Sequence, residues 1–526
     1  MAGWDAIVVG AGHNGLVAAG YLAKAGRRVL VLERRSRVGG AAVTEELAPG
    51  FRVSPCADGS GSLCPEVRRD LKPDVETIAC DPVAVVPLPD GTRLAFWRDA
   101  SRTAREIARL SARDAERYPE FVASMTRIAG VVGGLARVLP PNLPEVGFRD
   151  LLAMRPLAGP IRALGRRNVN DLLRVLPMPV ADLLDEWFES DVVKGAIAAN
   201  GVRDLTWGPK EAGTAYALLY HWALADTGLF RWSGVVKGGI GALCDALARS
   251  VTSFGAEIRT GVPVRRIAVE AGRAVGVEVE GEGTLRAPTI VSNADPRTTF
   301  LELLEPARQA AKFVRHVRHI KYRGSGARVL LALRGRPVFP ALADDETLMR
   351  APIQIAPTLE YIQRAYDCTK YGEASPRPYL DVLIPSLLDP DLAPSGQHVM
   401  SITAKYAPYR LRRGDWESQR EAFGDGVLGV LEEYAPGIRD LVVARRTLVP
   451  PDLEAEFGLP EGNPNHGEMT LDQFFHMRPV PGHAKYRTPL AGLYLCGAGT
   501  HPGGGVTGIN GRQAALAVLS DGPAGA

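Results

Sequence analysis

Two glycine-rich turns stand near opposite ends of the chain, and both are built to hold an electron-rich group rather than to attack one. The first follows the apolar run Asp5-Ala6-Ile7-Val8-Val9 and reads Gly10-Ala11-Gly12-His13-Asn14-Gly15. The second follows Leu493-Tyr494-Leu495 and reads Cys496-Gly497-Ala498-Gly499-Thr500-His501-Pro502-Gly503-Gly504-Gly505-Val506-Thr507-Gly508. A glycine turn between a strand and a helix aims backbone N–H groups at an anion. In the first turn Gly10 suits a tight bend, Gly12 close approach of a pyrophosphate, and Gly15 with Ala19 close helix packing. Glu33 ends the next apolar run and is placed to accept hydrogen bonds from ribose hydroxyls. Arg34 and Arg35 could read a ribose 2′-phosphate, but Glu33 would repel it, so NADP is disfavoured. The chemistry implied is dinucleotide binding, with one long ligand held from both ends.

These turns need a strand before them and a helix after them. Residues 5–10 form a short apolar run ending in glycine, as a central parallel strand does, and a helix through Leu16, Ala18, Ala19 and Leu22 stops at Gly26. A second strand, Arg28 to Glu33, follows at once, which completes a βαβ unit. Past about Pro65 the pattern turns helical, with segments expected at 104–111, 115–132, 148–154, 168–176 and 180–189. The strand pattern resumes after Val236-Lys237-Gly238-Gly239-Ile240-Gly241-Ala242-Leu243, with a helix burying Leu243, Leu247 and Val251, a hairpin over 274–287 and an apolar strand at 289–292. Between 297 and 468, apolar runs at 327–333, 379–384 and 398–403 suit a mostly antiparallel sheet over a cavity. The expected fold class is therefore α/β, with a discontinuous Rossmann-type nucleotide domain (1–75, 225–300 and 470–520) and a second, α+β substrate domain (76–224 and 301–469).

Bulk properties set limits on function. A chain of 526 residues with 46% apolar and 23% charged side chains can bury a large ligand, and a formal charge of +3 gives no argument for nucleic acid. Its six cysteines include no close pair, so neither a redox dithiol nor a zinc site is written, and no metal is expected. With no basic-then-apolar leader and no long apolar run, the expected location is the cytoplasm. Eight arginines lie between Arg127 and Arg174 against Glu145, Asp150 and Asp171, interleaved with apolar residues. That stretch suits either lid helices with solvated arginines or peripheral contact with an anionic membrane through residues 127–174.

The run Arg37-Val38-Gly39-Gly40-Ala41-Ala42 comes directly after the second strand. Its plain reading is a surface turn. In this context it resembles the flavoprotein superfamily of phytoene desaturases, retinol saturases and flavin amine oxidases, and the fold is then the glutathione reductase/amine oxidase-like FAD-binding fold. The 236–243 run, Ile384-Pro385-Ser386-Leu387-Leu388-Asp389-Pro390, Met469-Thr470-Leu471-Asp472-Gln473-Phe474-Phe475 and the 496–505 run resemble its phytoene dehydrogenase-related branch, most of all the pyridine nucleotide-disulfide oxidoreductase domain-containing protein 2 group. The disulfide in that group's name has no counterpart here. The resemblance implies that Gly10, Gly12, Asn14, Gly15, Glu33, Arg34, Gly39, Gly40 and Ala41 hold the adenosine and diphosphate of FAD, with the Val264 backbone facing the adenine. It implies that Gly497, Gly499, Thr500, Gly504, Gly505, Val506 and Thr507 line the ribityl chain and flavin. A helix N-terminus there would stabilise negative charge on the flavin by about 0.3–2 kcal/mol. Gly508 and Gly511 in the following helix suggest that something needs the backbone close, since glycine in a helix costs about 1 kcal/mol.

The expected function is FAD-dependent dehydrogenation or desaturation of a C–C bond in an apolar, isoprenoid or lipid-like substrate, with oxygen or a quinone as open choices of electron acceptor. The alternatives are a flavin amine oxidase and a non-catalytic carrier of the GDP-dissociation-inhibitor type. Tyr216, His221, His466 and His501 are the candidate catalytic side chains, each with an ordinary structural role as the competing reading. The direction of the reaction stays open.

Overall fold

The structure, a computed structural model, describes residues 3–59, 63–141, 146–232, 234–343 and 345–522. Glu145, the side chains of Arg149, Arg166 and Arg167, and the end of the chain beyond 522, expected as a frayed tail, lie outside what it describes.

Strand Ala6–Val9 is buried along its whole length, and its neighbours explain why it is apolar at every position. It lies third in a five-stranded parallel sheet ordered Leu493–Leu495, Ile290–Ser292, Ala6–Val9, Val29–Glu33, Glu257–Thr260. Successive side chains of a strand point to opposite faces. Ala6 and Val8 meet helices His13–Lys24, Ile240–Ser253 and Ile509–Ser520 on one face; Ile7 and Val9 meet the antiparallel strands Val264–Glu270 and Arg273–Val279 on the other. Both ends of the chain thus share one sheet, which brings the two glycine turns to its same edge.

A second sheet has seven strands. The three apolar runs expected to pair form its middle, as Gly326–Leu333, His398–Lys405 and Leu380–Leu383, all antiparallel. Val442–Leu448 flanks them on one side, and Ile353–Ile355, Ala84–Pro87 and Arg93–Phe96 on the other, with one parallel pairing between Ile353–Ile355 and Ala84–Pro87. One face is mainly apolar: Val329, Leu331, Ile353, Val382 and Ile402 pack in one cluster with Val427 and Leu431 of helix Trp416–Glu432. The opposite face carries buried Arg328, Gln354, Asp381 and Ser401.

The helical stretch differs from expectation at its boundaries. Its first two helices are Ala100–Ile107 and Ala112–Arg137, because the Ser111 side chain accepts from the Asp114 amide and caps the second one. Helices Phe148–Ala153, Arg166–Val175 and Val180–Asp185 follow the expected order, and Asp191–Gly201 and Thr214–Leu224 complete a layer on the polar side of the seven-stranded sheet.

Candidate functional site

The first turn is packed against its own backbone and the Asn293 side chain, which leave no room for side chains. A Cβ on Gly15 would fall 2.1 Å from the Gly10 carbonyl, and one on Gly12 would fall 2.6 Å from Asn293 Nδ2. Gly10 has φ +96°, open to glycine at little cost. The Gly39–Gly40 turn lies alongside: the Gly39 amide donates to the Ala11 carbonyl at 2.9 Å, and a Cβ on Gly40 would sit 3.3 Å from Gly12 Cα. Ala41 is tied in turn to Ala57, whose amide donates to its carbonyl.

Glu33, 5% exposed, ends strand Val29–Glu33 directly under the turn. Its Oε2 accepts from the Ala11 amide at 2.8 Å and its Oε1 from the Arg35 amide at 2.9 Å. Each carboxylate oxygen keeps a free lone pair for a further donor. The Val262 amide donates to the Glu33 carbonyl, which brings the start of strand Val264–Glu270 beside the same spot. Arg34 is exposed and reaches toward Gly458, while Arg35 bonds the Gly40 carbonyl and Glu45 and stacks on Phe457.

The two turns meet at His13. Its imidazole is half-buried and lies against the Gly505 backbone, while its buried Nε2 has no partner among the described residues. Desolvation of the ring lowers its pKa to about 4, an effect the Gly505 backbone partly offsets. Asn14 reaches across as well, its Oδ1 accepting from the Gly511 amide at 3.4 Å. Asn14 and Gly511 also correct the expectation placed on the glycines of the last helix. Gly508 caps that helix at φ +71° instead of lying inside it, and a Cβ on Gly511 would fall 2.1 Å from the Asn14 carbonyl. The close approach that Gly511 allows is helix on helix.

Three buried side chains hold the second turn in shape. Asn510 donates to the Gly497 carbonyl at 3.3 Å and to the Thr500 carbonyl at 3.1 Å. Asn465 faces Gly504 so closely that a Cβ there would fall 1.6 Å from its Oδ1, and its Nδ2 is buried without a partner among the described residues. Arg478, 2% exposed, donates to the carbonyls of Asn465, Gly467, Glu468, Gln473 and Ala498. Thr500 Oγ1 donates to the Gly497 carbonyl, the Thr507 carbonyl accepts from the Cys64 amide, and Val506 packs on the apolar cluster beneath the first helix. A cradle closed to side chains, a buried carboxylate with spare lone pairs, and orphaned polar atoms on His13 and Asn465 fit a long polar cofactor lying from Glu33 to Gly504.

The candidate catalytic side chains do not converge on one point. Tyr216 is buried with its ring centroid 4.8 Å from that of Phe474 and its hydroxyl unpartnered among the described residues, and burial pushes its pKa well up. The Tyr220 hydroxyl donates to the Gly504 carbonyl at 3.0 Å, a contact on the second turn that sequence reading does not single out. His501 has its Nε2 3.0 Å from the Leu135 carbonyl, and burial drives its pKa down to about 3. His466 is lowered by burial too, with Asp295 acting the other way. His221 pairs with Asp204 at 3.5 Å in a different cluster. Asn293, Asn465, Arg478 and Asn510 were not among the expected site residues. Only Asn293 carried a local signal, the turn sequence Asn293-Ala294-Asp295-Pro296 after an apolar strand.

Residues 15–519 match the family described as flavin containing amine oxidoreductase. Among curated proteins, pyridine nucleotide-disulfide oxidoreductase domain-containing protein 2 of Rattus norvegicus is 37% identical, covering 98% of this chain and 94% of its own. A limonene dehydrogenase component from Castellaniella defragrans is 29% identical, with 98% and 94% covered, and a lycopene-forming phytoene desaturase of Pantoea ananas is 25% identical, with 97% and 98% covered. Among solved structures, an oxidoreductase from Methanosarcina mazei aligns with TM-score 0.61 at 18% identity over 98% of this chain and 99% of its own. A putrescine oxidase variant aligns with TM-score 0.60 at 14% identity, with 98% of each chain covered, which is likeness of fold.

Proposed function

The chain belongs to the flavin containing amine oxidoreductase family, and from that premise we propose that it removes hydride from a C–C bond of an apolar, isoprenoid or lipid-like substrate. It is an FAD-dependent oxidoreductase with the FAD-binding fold of that family, and the carrier alternative gains no support beside this membership. The observation that carries the substrate reading is what packs on the second turn. A Cβ on Gly503 would fall 2.6 Å from Met469 Sδ and 3.3 Å from the Tyr220 hydroxyl, and both side chains belong to the large apolar cluster of the helical layer. Relatives named for limonene and phytoene support the same direction.

On this reading Gly10, Gly12, Asn14, Gly15, Gly39, Gly40 and Ala41 receive the diphosphate, Glu33 the ribose hydroxyls and Val264 the adenine. Gly497, Gly499, Thr500 and the 504–507 segment receive the ribityl chain and ring. Bound FAD supplies a hydride acceptor. The chain supplies position and dryness: Arg478 and Asn510 keep the turn rigid, and Met469, Tyr216 and Phe474 exclude water from the reacting carbon. Tyr216 and His501 orient by packing, since burial holds the phenol protonated and the imidazole neutral near pH 7. The nucleotide-binding unit is assigned to 1–75, 225–300 and 470–520, and the substrate unit to 76–224 and 301–469. The cluster of Tyr216, Tyr220 and Phe474 supports amine oxidation as the second reading. The test is turnover by purified enzyme carrying about one FAD per chain. Isoprenoid or fatty substrates should yield products two hydrogens poorer, and conversion of primary amines to aldehydes in their place would overturn the reading.

No helix among the described residues is long and apolar enough to cross a membrane. Peripheral contact has a specific support. Phe148, Leu151 and Leu173 are 75%, 59% and 65% exposed, with Ile161 and Leu152 close behind and exposed Arg155 and Arg162 among them. Each such side chain gains about 1.5–3 kcal/mol on leaving water, and each arginine about 1 kcal/mol beside anionic lipid. The wild type should co-sediment with phosphatidylserine-containing vesicles, and the Phe148→Glu/Leu151→Glu double variant should stay in the supernatant with its FAD content unchanged. Equal sedimentation of the two would refute the contact.

A further inference from the structure

The polar face of the seven-stranded sheet holds a row of buried groups that the flavin chemistry leaves unused. In the strand register, Gln354 lies opposite Asp381, Asp381 opposite Thr403, and Thr403 opposite Arg328. Two guanidinium groups share the single Asp381 carboxylate: Arg231 approaches it at 3.2 Å through both terminal nitrogens, and Arg203 at 3.2 Å. Tyr379, two residues before Asp381, lies on the same face with its hydroxyl toward the Gln354 side chain, and interacts electrostatically with Asp381, Arg203 and Arg231.

The row carries more donors than it uses. Among the described residues, Arg231 Nε, the Tyr379 hydroxyl and Gln354 Nε2 are buried without partners, on residues 4%, 0% and 0% exposed. Gln354 Oε1 is orphaned as well. Buried polar groups in folded proteins are otherwise paired, and three orphaned N–H or O–H donors around two guanidinium groups match a group with two acceptor oxygens. The surroundings agree. Arg328 pairs with Asp58 at 2.6 Å, Arg323 with Glu468 at 2.6 Å, Lys405 bonds the neutral Leu205 carbonyl and Ser325 hydroxyl with Asp204 and Glu468 acting on it, and Asp204 faces His221, so Arg203, Arg231, Arg323, Arg328 and Lys405 stand against Asp58, Asp204, Asp381 and Glu468. Five cations to four carboxylates leaves one positive charge over.

The row also borders the cofactor turn on one side and the apolar layer on the other. Asp58 follows Ala57, whose amide bonds the Ala41 carbonyl, while Tyr379 and Phe230, next to Arg231, belong to the apolar helical cluster. We propose that Arg231, Arg203, Tyr379 and Gln354 bind the carboxylate of the substrate, which makes that substrate a lipid-like acid and not a plain hydrocarbon. The proposal rests on the apolar-substrate reading above and narrows it.

The test is calorimetric titration of the FAD-loaded enzyme with decanoate, 1-decanol and acetate, recording the flavin spectrum alongside. Decanoate should bind at least roughly tenfold tighter than either of the others and shift the flavin bands. Arg203→Gln and Gln354→Leu should each weaken decanoate by roughly tenfold while keeping FAD and leaving decanol binding unchanged. Gln354→Leu removes an orphaned amide, so it keeps the test decisive if the arginine variant fails to fold. The proposal is overturned if decanol or acetate matches decanoate, or if Gln354→Leu binds decanoate as the wild type does. Protein that never takes up FAD would defeat the flavoenzyme reading alone, because binding of decanoate to this row is read by heat without flavin.

Discussion

Arg478→Met is expected to yield protein that purifies without FAD and melts far below the wild type. The guanidinium donates to five backbone carbonyls, and among the described residues only that of Glu468 has a second donor, Gln473 Nε2 at 3.1 Å. The carbonyls of Asn465, Gly467, Gln473 and Ala498 would be left buried and unpaired. Each unpaired buried group costs about 1–3 kcal/mol, so the loss is on the order of the whole stability of an ordinary domain, about 5–15 kcal/mol. Removing the buried charge offsets part of this, since burial alone already lowers the Arg478 pKa. The damage falls on the second turn first, because Ala498 lies inside it. Arg478→Lys, which keeps the charge but can reach fewer carbonyls, should fall between the two. Flavin absorbance and thermal unfolding check this together; a methionine variant with full FAD and unchanged melting would show that Arg478 does not hold the turn.

Glu33→Arg is the second large effect. The carboxylate accepts the Ala11 and Arg35 amides at 2.8 and 2.9 Å in a spot that is 5% exposed. Arginine accepts nothing, so two buried amides lose their partner at about 1–3 kcal/mol each. The ribose hydroxyls lose theirs as well. FAD affinity should drop by roughly a hundredfold or more, since each 1.4 kcal/mol is a factor of ten. Glu33→Gln retains one acceptor oxygen and should keep partial occupancy. The flavin-to-protein absorbance ratio after gel filtration decides it, and wild-type occupancy in the arginine variant would mean that the ribose lies elsewhere.

The parts of the fold legible in the sequence are those where local pattern and tertiary role coincide. Val8 and Val9 face opposite layers of cover, so the strand had to be apolar throughout, and Leu243, Leu247 and Val251 recur at helical spacing because one face of their helix is buried. Gly15 of the first turn is legible for the same reason, lying against the Gly10 carbonyl five residues away, whereas the crowding of Gly10 and Gly12 comes from Asn293, far along the chain. Arg478 was not legible. Between Met477 and Pro479 it looks like a surface residue, and only the folded chain gathers the 465–473 carbonyls and that of Ala498 around it. Gly511 misled in the same way, because its partner, Asn14, is almost the whole chain away. Strand Ala84–Pro87 is too short and too uniformly apolar to show a period. Gln354 and Asp381 stand in apolar strands where alternation normally turns a polar residue to water, yet here both faces of the sheet are covered.

The central claim is that hydride leaves a C–C bond held against the second glycine turn. Anaerobic mixing of the FAD-loaded enzyme with isoprenoid and fatty substrates, and separately with primary amines, tests it most directly through the flavin absorbance. The account predicts that an isoprenoid or fatty substrate bleaches the flavin in a single turnover and that a new double bond appears in equal amount, with the amines leaving the spectrum unchanged. Bleaching by amines, with the isoprenoid and fatty substrates inert, would contradict it.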